Sequence, residues 1–164
     1  MKGIDVSVHN GDIDFAIIRA GYGKLESQKD QKFEQNYAGA KAVGIPIGAY
    51  WYSYAMNEDE ARQEADVFLS VIKGKQFEMP VYFDLEEKKQ FDLGKEQVSA
   101  IMRAFLKKVE SAGYFVGLYG SASSLTTHTA DDIKSWYTIW LAHWVDETNY
   151  SGAYGVWQHS EKGK

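Results

Sequence analysis

Two acidic residues, Asp84 and Glu86, follow a short apolar run and are separated by one residue. Side chains two apart in a β-strand project from the same face and lie roughly 6.5 to 7 Å apart along the backbone. Two carboxyl groups that share a poorly solvated face repel each other, so one of them keeps its proton to a higher pH than usual. A protonated acid beside an ionised one is the pair that acid-assisted cleavage of an acetal bond requires.

The same spacing also occurs by chance where a strand meets a loop, and both carboxyl groups would then be solvated. The preceding run, Val81-Tyr82-Phe83, has the composition of a buried strand and favours a strand that carries the acids out of the core. Strand alternation predicts that Glu87 faces away from this pair. The spacing by itself leaves both interpretations open.

The strands that position such residues are predicted from apolar runs at 3–9, 15–20, 45–53, 79–86, 115–120, 137–144 and 154–159. Helices are predicted at 33–43, 57–72 and 95–112, with a helical turn within 121–129. Strands that alternate with helices indicate an α/β fold with a parallel sheet. Because no nucleotide-binding glycine motif is present, we expect a modified TIM-like β/α barrel with about eight strands and a reduced number of helices.

Several predicted strands end in polar or aromatic residues, and a β/α barrel builds its active site from those ends. These residues are Asp5, Ser7, Arg19, Tyr22, Tyr50, Tyr52, Asp84, Glu86, Tyr119, His143 and Gln158. Acids from different strands that converge at a mouth ringed by aromatic side chains favour chemistry on a carbohydrate. Neither a serine-hydrolase elbow nor the histidine spacing of a metal site is present, so we expect no metal and no cofactor.

Composition narrows the possible partners. Aromatic residues make up 15% of the chain, which suits either a groove that stacks on flat ligands or a bulky core. The net charge of −5 and the lack of a basic run argue against a nucleic-acid partner. No apolar run reaches the ~20 residues that a membrane span needs, and no signal peptide is visible at Met1. The absence of cysteine excludes a thiol nucleophile and a disulfide framework.

Seven motifs in order give the chain a resemblance to glycoside hydrolase family 25, the lysozymes or N-acetylmuramidases. They are G-I-D-V-S at 3–7, F-A-I-I-R-A-G-Y-G at 15–23, G-I-P-I-G-A-Y-W-Y-S at 44–53, P-V-Y-F-D-L-E at 80–86, G-L-Y-G at 117–120, I-W-L-A-H-W at 139–144 and G-V-W-Q-H-S at 155–160. The resemblance covers nearly the whole chain and implies a single catalytic domain over residues 1–164.

The resemblance implies cleavage, with retention, of the β-1,4 bond between N-acetylmuramic acid and N-acetylglucosamine in peptidoglycan. Glu86 resembles the general acid, Asp84 the residue that orients the substrate N-acetyl group, and Asp5 the third acid. Positions that match the sugar groove are Tyr50, Tyr52, Tyr119, Trp140 and Gln158. The partner implied is bacterial cell-wall peptidoglycan, acted on by a monomer outside the cytoplasm after secretion or lysis.

Two departures from the family pattern stand out. Relatives usually carry a helix of a dozen or more residues between the first two strands, whereas five residues, 10–14, intervene here. Since a parallel crossover needs about a dozen residues, so short a connection predicts a hairpin, which would move Asp5 away from Asp84. The family's final segment, with a further acid, also has no counterpart before Lys164. The domain is therefore expected to be shortened at both places.

Two other functions fit parts of the same pattern. A barrel that kept its aromatic groove but lost turnover would be a non-catalytic cell-wall carbohydrate-binding protein. Alternatively, Asp5, Asp84 and Glu86 could ligate a divalent cation in a metal-dependent hydrolase. Activity that depends on Glu86 and survives chelation would separate the muramidase from both.

Overall fold

Seven strands form one sheet in the computed structural model, which describes the backbone of residues 3–6, 15–142 and 156–158 and the side chains from 15 to 141. The strands are β1 Gly3–Val6, β2 Phe15–Tyr22, β3 Ile47–Tyr52, β4 Val81–Asp84, β5 Val116–Ser121, β6 Thr138–Ala142 and β7 Val156–Gln158. They pair in sequence order and every pair is parallel. This is the strand order of a β/α barrel, so the predicted α/β class is confirmed.

Six helices lie between the described strands, together with a 3-10 turn at Glu26–Gln28. They are α1 Phe33–Val43, α2 Glu58–Ile72, α3 Lys88–Phe91, α4 Lys95–Ser111, α5 Ala122–Thr127 and α6 Asp131–Trp136. The three long helices and the helical turn were predicted. The short α3 and α6 were not, because four to six residues are too few to show a helical period. No described helix has the length and apolarity to cross a membrane.

The ends of the long helices follow local rules that the sequence makes visible. Helix α1 stops at Gly44, whose φ of 76° is a left-handed conformation that glycine adopts without a Cβ clash. Helix α2 starts at Asn57, whose side chain accepts a hydrogen bond of 2.9 Å from the backbone nitrogen of Glu60. Three acidic residues then occupy the first turn of α2, where the helix dipole favours negative charge.

The hairpin predicted between the first two strands is wrong, because β1 pairs with β2 in parallel from Gly3 opposite Phe15 to Val6 opposite Ile18. The physical reason is the length of β1, which spans four residues. To begin β2 beside the start of β1, the chain must travel back along β1 by three residues of rise, which is about 10 Å. It must also move sideways by one strand spacing, which is about 5 Å. Residues 7–14 can span about 30 Å when extended, so no helix is needed for this return.

The sheet has two apolar faces that pack in different ways. Alternate strand residues such as Ile18, Ala49, Phe83 and Leu118 face α1, α2 and α4 and join the larger core. The other face carries a smaller, mostly aromatic cluster, namely Phe15, Ile17, Tyr82, Tyr119 and Trp140, with Tyr50 and Met79 packed against it. Burial on both faces is typical of a parallel sheet whose helices cover one side and whose interior closes on itself.

A column of four aromatic rings joins the sheet to its helices behind β4. Trp51 on β3 contacts Phe68 on α2 with ring centroids 5.6 Å apart, and Phe68 stacks on Phe105 of α4 at 5.7 Å. Phe105 in turn stacks on Phe83 of β4 at 4.1 Å. All four side chains are fully buried, so this column fixes the strand that ends in Asp84.

Replacing Phe83 with alanine should lower the free energy of unfolding by about 3 to 5 kcal/mol, because the cavity removes the stacking contact with Phe105 as well as the apolar burial. Phe115→Ala is the matched control, since that ring is 69% exposed and its loss should cost about 0.5 kcal/mol or less. Urea denaturation of both variants measures the difference. Equal losses would show that the column is not what holds β4.

Candidate active site

Five residues from neighbouring strands lie in one row across the carboxyl end of the sheet. In the described backbone, Tyr22 is opposite Tyr52, which is opposite Asp84, followed by Tyr119 and Trp140. Parallel strands bring their carboxyl ends to one edge, and the register here places an acid in the middle of four aromatic residues. The row thus contains four of the eight proposed site residues, namely Tyr52, Asp84, Tyr119 and Trp140.

The end of β4 carries the acid pair. Pairing with the neighbouring strands stops at Asp84, two residues before the predicted end of the strand. The alternation of faces nevertheless continues: Phe83 and Leu85 are buried in the larger core, whereas Asp84 and Glu86 point the other way. Asp84 is 5% exposed, and Glu86 extends to the open end of the site. The predicted shared face is therefore confirmed.

Glu86 has the environment of an acid that holds its proton. The residue is exposed as a whole, but its carboxyl group meets Asp84, Tyr52 and Glu87. Burial of this group raises the pKa of Glu86 above its ordinary value of 4.5, and the charge of Glu87 raises it further. Hydrogen bonds with Asp84 and Tyr52 oppose this increase without reversing it. The raised pKa favours the protonated form of Glu86 next to these acidic neighbours.

Glu87 belongs to this cluster, and the prediction that it faces away is wrong. The hydroxyl group of Tyr52 donates a short hydrogen bond to Oε2 of Glu87. Glu87 follows the last paired residue of β4 and precedes α3, so strand alternation no longer governs its direction. Burial, this hydrogen bond and the nearby charges of Glu86, Glu87 and Asp84 together raise the pKa of Tyr52, which stays a neutral donor.

The predicted groove aromatics fall into two groups. Trp140 is 3% exposed and contacts Tyr50, Tyr82 and Tyr119 with ring centroids 5.6, 5.3 and 4.5 Å apart. Trp140 and Tyr119 therefore pack as the floor of the site, whereas Tyr50 and Tyr52 are partly exposed. Direct contact between a ligand and any of these residues stays a prediction.

Sequence reasoning missed Tyr54, which joins Tyr22 and Tyr52 in an aromatic group at the rim. Tyr54 is 41% exposed and contacts the rings of Tyr52 and Tyr22 at 5.2 and 6.0 Å. The ammonium group of Lys89 lies 5.7 Å from the centre of the Tyr54 ring, and the Arg19 guanidinium lies 5.8 Å from that of Tyr22. The signal was present, because Tyr50, Tyr52 and Tyr54 alternate at the spacing of one strand face.

Two predicted site residues are located by their backbone alone. Asp5 pairs with Ile17, and Gln158 pairs with Ala142, two residues beyond the partner of Trp140. The side chains of Asp5 and Gln158 lie outside the described residues, so their roles stay predictions. Among side chains 15–141, no group of three histidine, cysteine or acidic residues is placed to hold a metal ion.

This arrangement can transfer a proton and stabilise positive charge at one place. Glu86, whose pKa is raised, is an acid suited to donating a proton, and Asp84 and Glu87 lie close to it. Tyrosine hydroxyl groups and exposed ring faces supply the mixed polar and flat surface that sugar rings bind. Such a site suits cleavage of a glycosidic bond through a transition state with oxocarbenium character.

Comparison with known proteins agrees with this geometry. An autolytic lysozyme of Clostridium acetobutylicum is 25% identical over 174 residues, which cover 99% of this chain and 51% of that protein. A solved structure of the modular autolysin LytC of Streptococcus pneumoniae, in complex with a synthetic peptidoglycan ligand, matches with a TM-score of 0.82 and 24% sequence identity. The match covers 98% of this chain and 43% of the LytC chain. The CTP1L endolysin matches with a TM-score of 0.81 at 27% identity, over 100% of this chain and 62% of its own.

The chain thus spans about half the length of the curated relative that it matches. The predicted modified TIM-like barrel is confirmed by the likeness to these solved structures. The sequence profile of the family described as "Glycosyl hydrolases family 25" matches residues 4–164, which is nearly the whole chain. This protein therefore belongs to glycosyl hydrolase family 25.

Proposed function

We propose that this domain is a lysozyme that hydrolyses the β-1,4 bond between N-acetylmuramic acid and N-acetylglucosamine in bacterial peptidoglycan. The observation that carries the proposal is the hydrogen bond between the carboxyl groups of Glu86 and Asp84 at the mouth of the sheet, where burial raises the pKa of Glu86. Membership of the family and the likeness to a lysozyme, an autolysin and an endolysin support the substrate class.

In the proposed reaction, Glu86 donates its proton to the glycosidic oxygen as the bond from that oxygen to the anomeric carbon breaks. The carbonyl oxygen of the substrate N-acetyl group attacks the anomeric carbon, and the carboxylate of Asp84 orients that group and balances its positive charge. Ionised Glu86 then takes a proton from water, which opens the ring intermediate. Two displacements at one carbon retain its configuration, without a protein nucleophile.

The remaining residues supply position and binding in this proposal. Asp5 is the third acid, and Tyr50, Tyr52, Tyr119, Trp140 and Gln158 form or support the sugar groove. Tyr52 has a double role, because its hydroxyl group is also bonded to Glu87 beside the acid. The domain works as a monomer in the bacterial cell wall, outside the cytoplasm, and needs no metal or cofactor. Residues 1–164 act as one catalytic domain in this proposal, with a shortened connection between residues 10 and 15.

Replacing Glu86 with glutamine should slow the clearance of a suspension of bacterial cell walls by about 100-fold or more, because the amide cannot donate an acidic proton. Glu96→Gln is the matched control, since Glu96 is an exposed acid on the outer helix α4. Turbidity measured over time compares both variants with the wild-type protein.

Chelation with EDTA should leave the clearance rate unchanged. If wild-type protein pellets with the walls but does not clear them, the domain is a wall-binding protein and the hydrolase proposal is wrong. If Glu86→Gln clears at the wild-type rate, the assignment of the acid is wrong even though the activity is present.

The pH profile of wall hydrolysis should be bell-shaped, with an alkaline limb set by Glu86 and an acidic limb set by ionisation of Asp84. Because the charge of Glu87 raises the pKa of Glu86, Glu87→Gln should move the alkaline limb to lower pH by about 0.5 to 1 unit. Glutamine keeps an oxygen that can accept the bond from Tyr52. A limb that stays in place, or moves to higher pH, contradicts the proposed electrostatic link between these two residues.

A further inference from the structure

A buried carboxyl group that the proposed reaction does not use lies directly behind the site. Glu64 on α2 is 1% exposed. Its Oε1 accepts a hydrogen bond of 2.7 Å from the hydroxyl group of Ser53, and its Oε2 accepts one of 2.8 Å from the backbone nitrogen of Tyr54. Ser53 and Tyr54 follow the end of β3, immediately after Tyr52. Both carboxyl oxygens of Glu64 thus bind the segment that follows β3.

The direction of the bonds around Ser53 is fixed. Its Oγ accepts hydrogen bonds from the side-chain nitrogen of Gln90 and from the backbone nitrogen of Ala55, both at 3.1 Å. A hydroxyl group has one proton and two lone pairs, so with both lone pairs occupied its proton goes to Glu64. Glu64 therefore accepts a hydrogen bond at each of its two oxygens.

The same network reaches the acids on the other side of the site. Gln90 is fully buried. Its side-chain nitrogen also donates a hydrogen bond of 2.9 Å to the carbonyl oxygen of Ala55. Its Oε1 accepts a hydrogen bond of 3.1 Å from the backbone nitrogen of Glu87. The backbone nitrogen of Ser53 donates to the carbonyl oxygen of Asp84 at 2.8 Å. A continuous chain of bonds therefore runs from Glu64 through Ser53 and Gln90 to Glu87.

We propose that Glu64 is a positioning residue of the active site. Through its two hydrogen bonds it orders residues 53–55 and, by way of Gln90, residues 87–90. This order keeps Glu87, which accepts the bond from Tyr52, next to Glu86. Glu64 touches no substrate in this account. The inference rests on the proposed function for its biological meaning, but the mechanical link can be measured without any activity.

Electrostatics gives the network a dependence on pH. Burial raises the pKa of Glu64 to about 7, while the bonds from Tyr54 and Ser53 favour the charged form. Glu60 on the same helix raises this pKa and Lys24, from the segment after β2, lowers it. Since the folded protein binds this proton more tightly than the unfolded chain, its contribution to stability is complete below pH about 4.5 and is lost as pH rises through about 7.

The test is a titration of the Glu86 carboxyl carbon by NMR in the folded protein, with and without Glu64. In Glu64→Gln an amide nitrogen donor replaces one of the two acceptors, which cannot satisfy both Ser53 and Tyr54. Glu87 is then no longer held next to Glu86, so the titration midpoint of Glu86 should fall by roughly 0.5 pH unit. Glu87→Gln should also lower this midpoint. The double variant should move no further than Glu87→Gln alone. Asp66→Asn, an exposed acid on the same helix, should move nothing.

An unchanged midpoint in folded Glu64→Gln, or additive shifts in the double variant, would overturn the proposal. If Glu64→Gln does not fold, Ser53→Ala provides the same test, because it cuts the path to Gln90 and leaves the bond from Tyr54 to Glu64. Clearance of cell walls by Glu64→Gln should be about tenfold slower than wild type. If wild-type protein clears no walls, the proposed function fails, while the NMR shift still decides the positioning role.

Discussion

Carboxyl groups that are crowded together repel one another when they are ionised, and this constraint organises the site. Asp84, Glu86 and Glu87 meet around the hydroxyl group of Tyr52, and burial makes their mutual repulsion stronger than it would be in water. Burial and the charge of Glu87 raise the pKa of Glu86, which favours the protonated form of that group. The catalytic account depends on this one outcome, because a fully ionised cluster would have no acid to offer.

The β/α barrel holds these three carboxyl groups close together in spite of their repulsion. Parallel register aligns Tyr52, Asp84 and Tyr119, and the stacked rings of Phe83 and Phe105 anchor β4 from behind. Such rigid burial costs free energy at each carboxyl group, which the packed aromatic core offsets. The site therefore combines locally unfavourable electrostatics with a strongly packed support.

The sequence predicted the features that depend on local rules. Gly44 and Asn57 mark helix ends through backbone geometry and capping, and the alternation from Phe83 to Glu86 placed two acids on one face. The parallel arrangement of β1 was not predicted, because a general rule for crossover length does not account for a strand of only four residues.

Contacts between distant segments were beyond sequence reasoning. Glu87 accepts a hydrogen bond from the hydroxyl group of Tyr52, which lies 35 positions away in the sequence. No local sequence pattern predicts that partner. Glu64 left a weak signal, because it lies between Ala61 and Phe68 on the apolar side of α2, where an acid is unexpected. Its partners Ser53 and Gln90 could be found only once the fold had brought them together.

The most direct test of the central claim is the identity of the sugar ends that the wild-type domain creates in purified peptidoglycan. Mass spectrometry of reduced products, with NMR of the freshly cleaved anomeric centre, reads both the bond and the stereochemistry. The account predicts new N-acetylmuramic acid reducing ends that form first as the β-anomer, and none of them with Glu86→Gln. New N-acetylglucosamine ends, an initial α-anomer, or cut peptides with an intact glycan would contradict it.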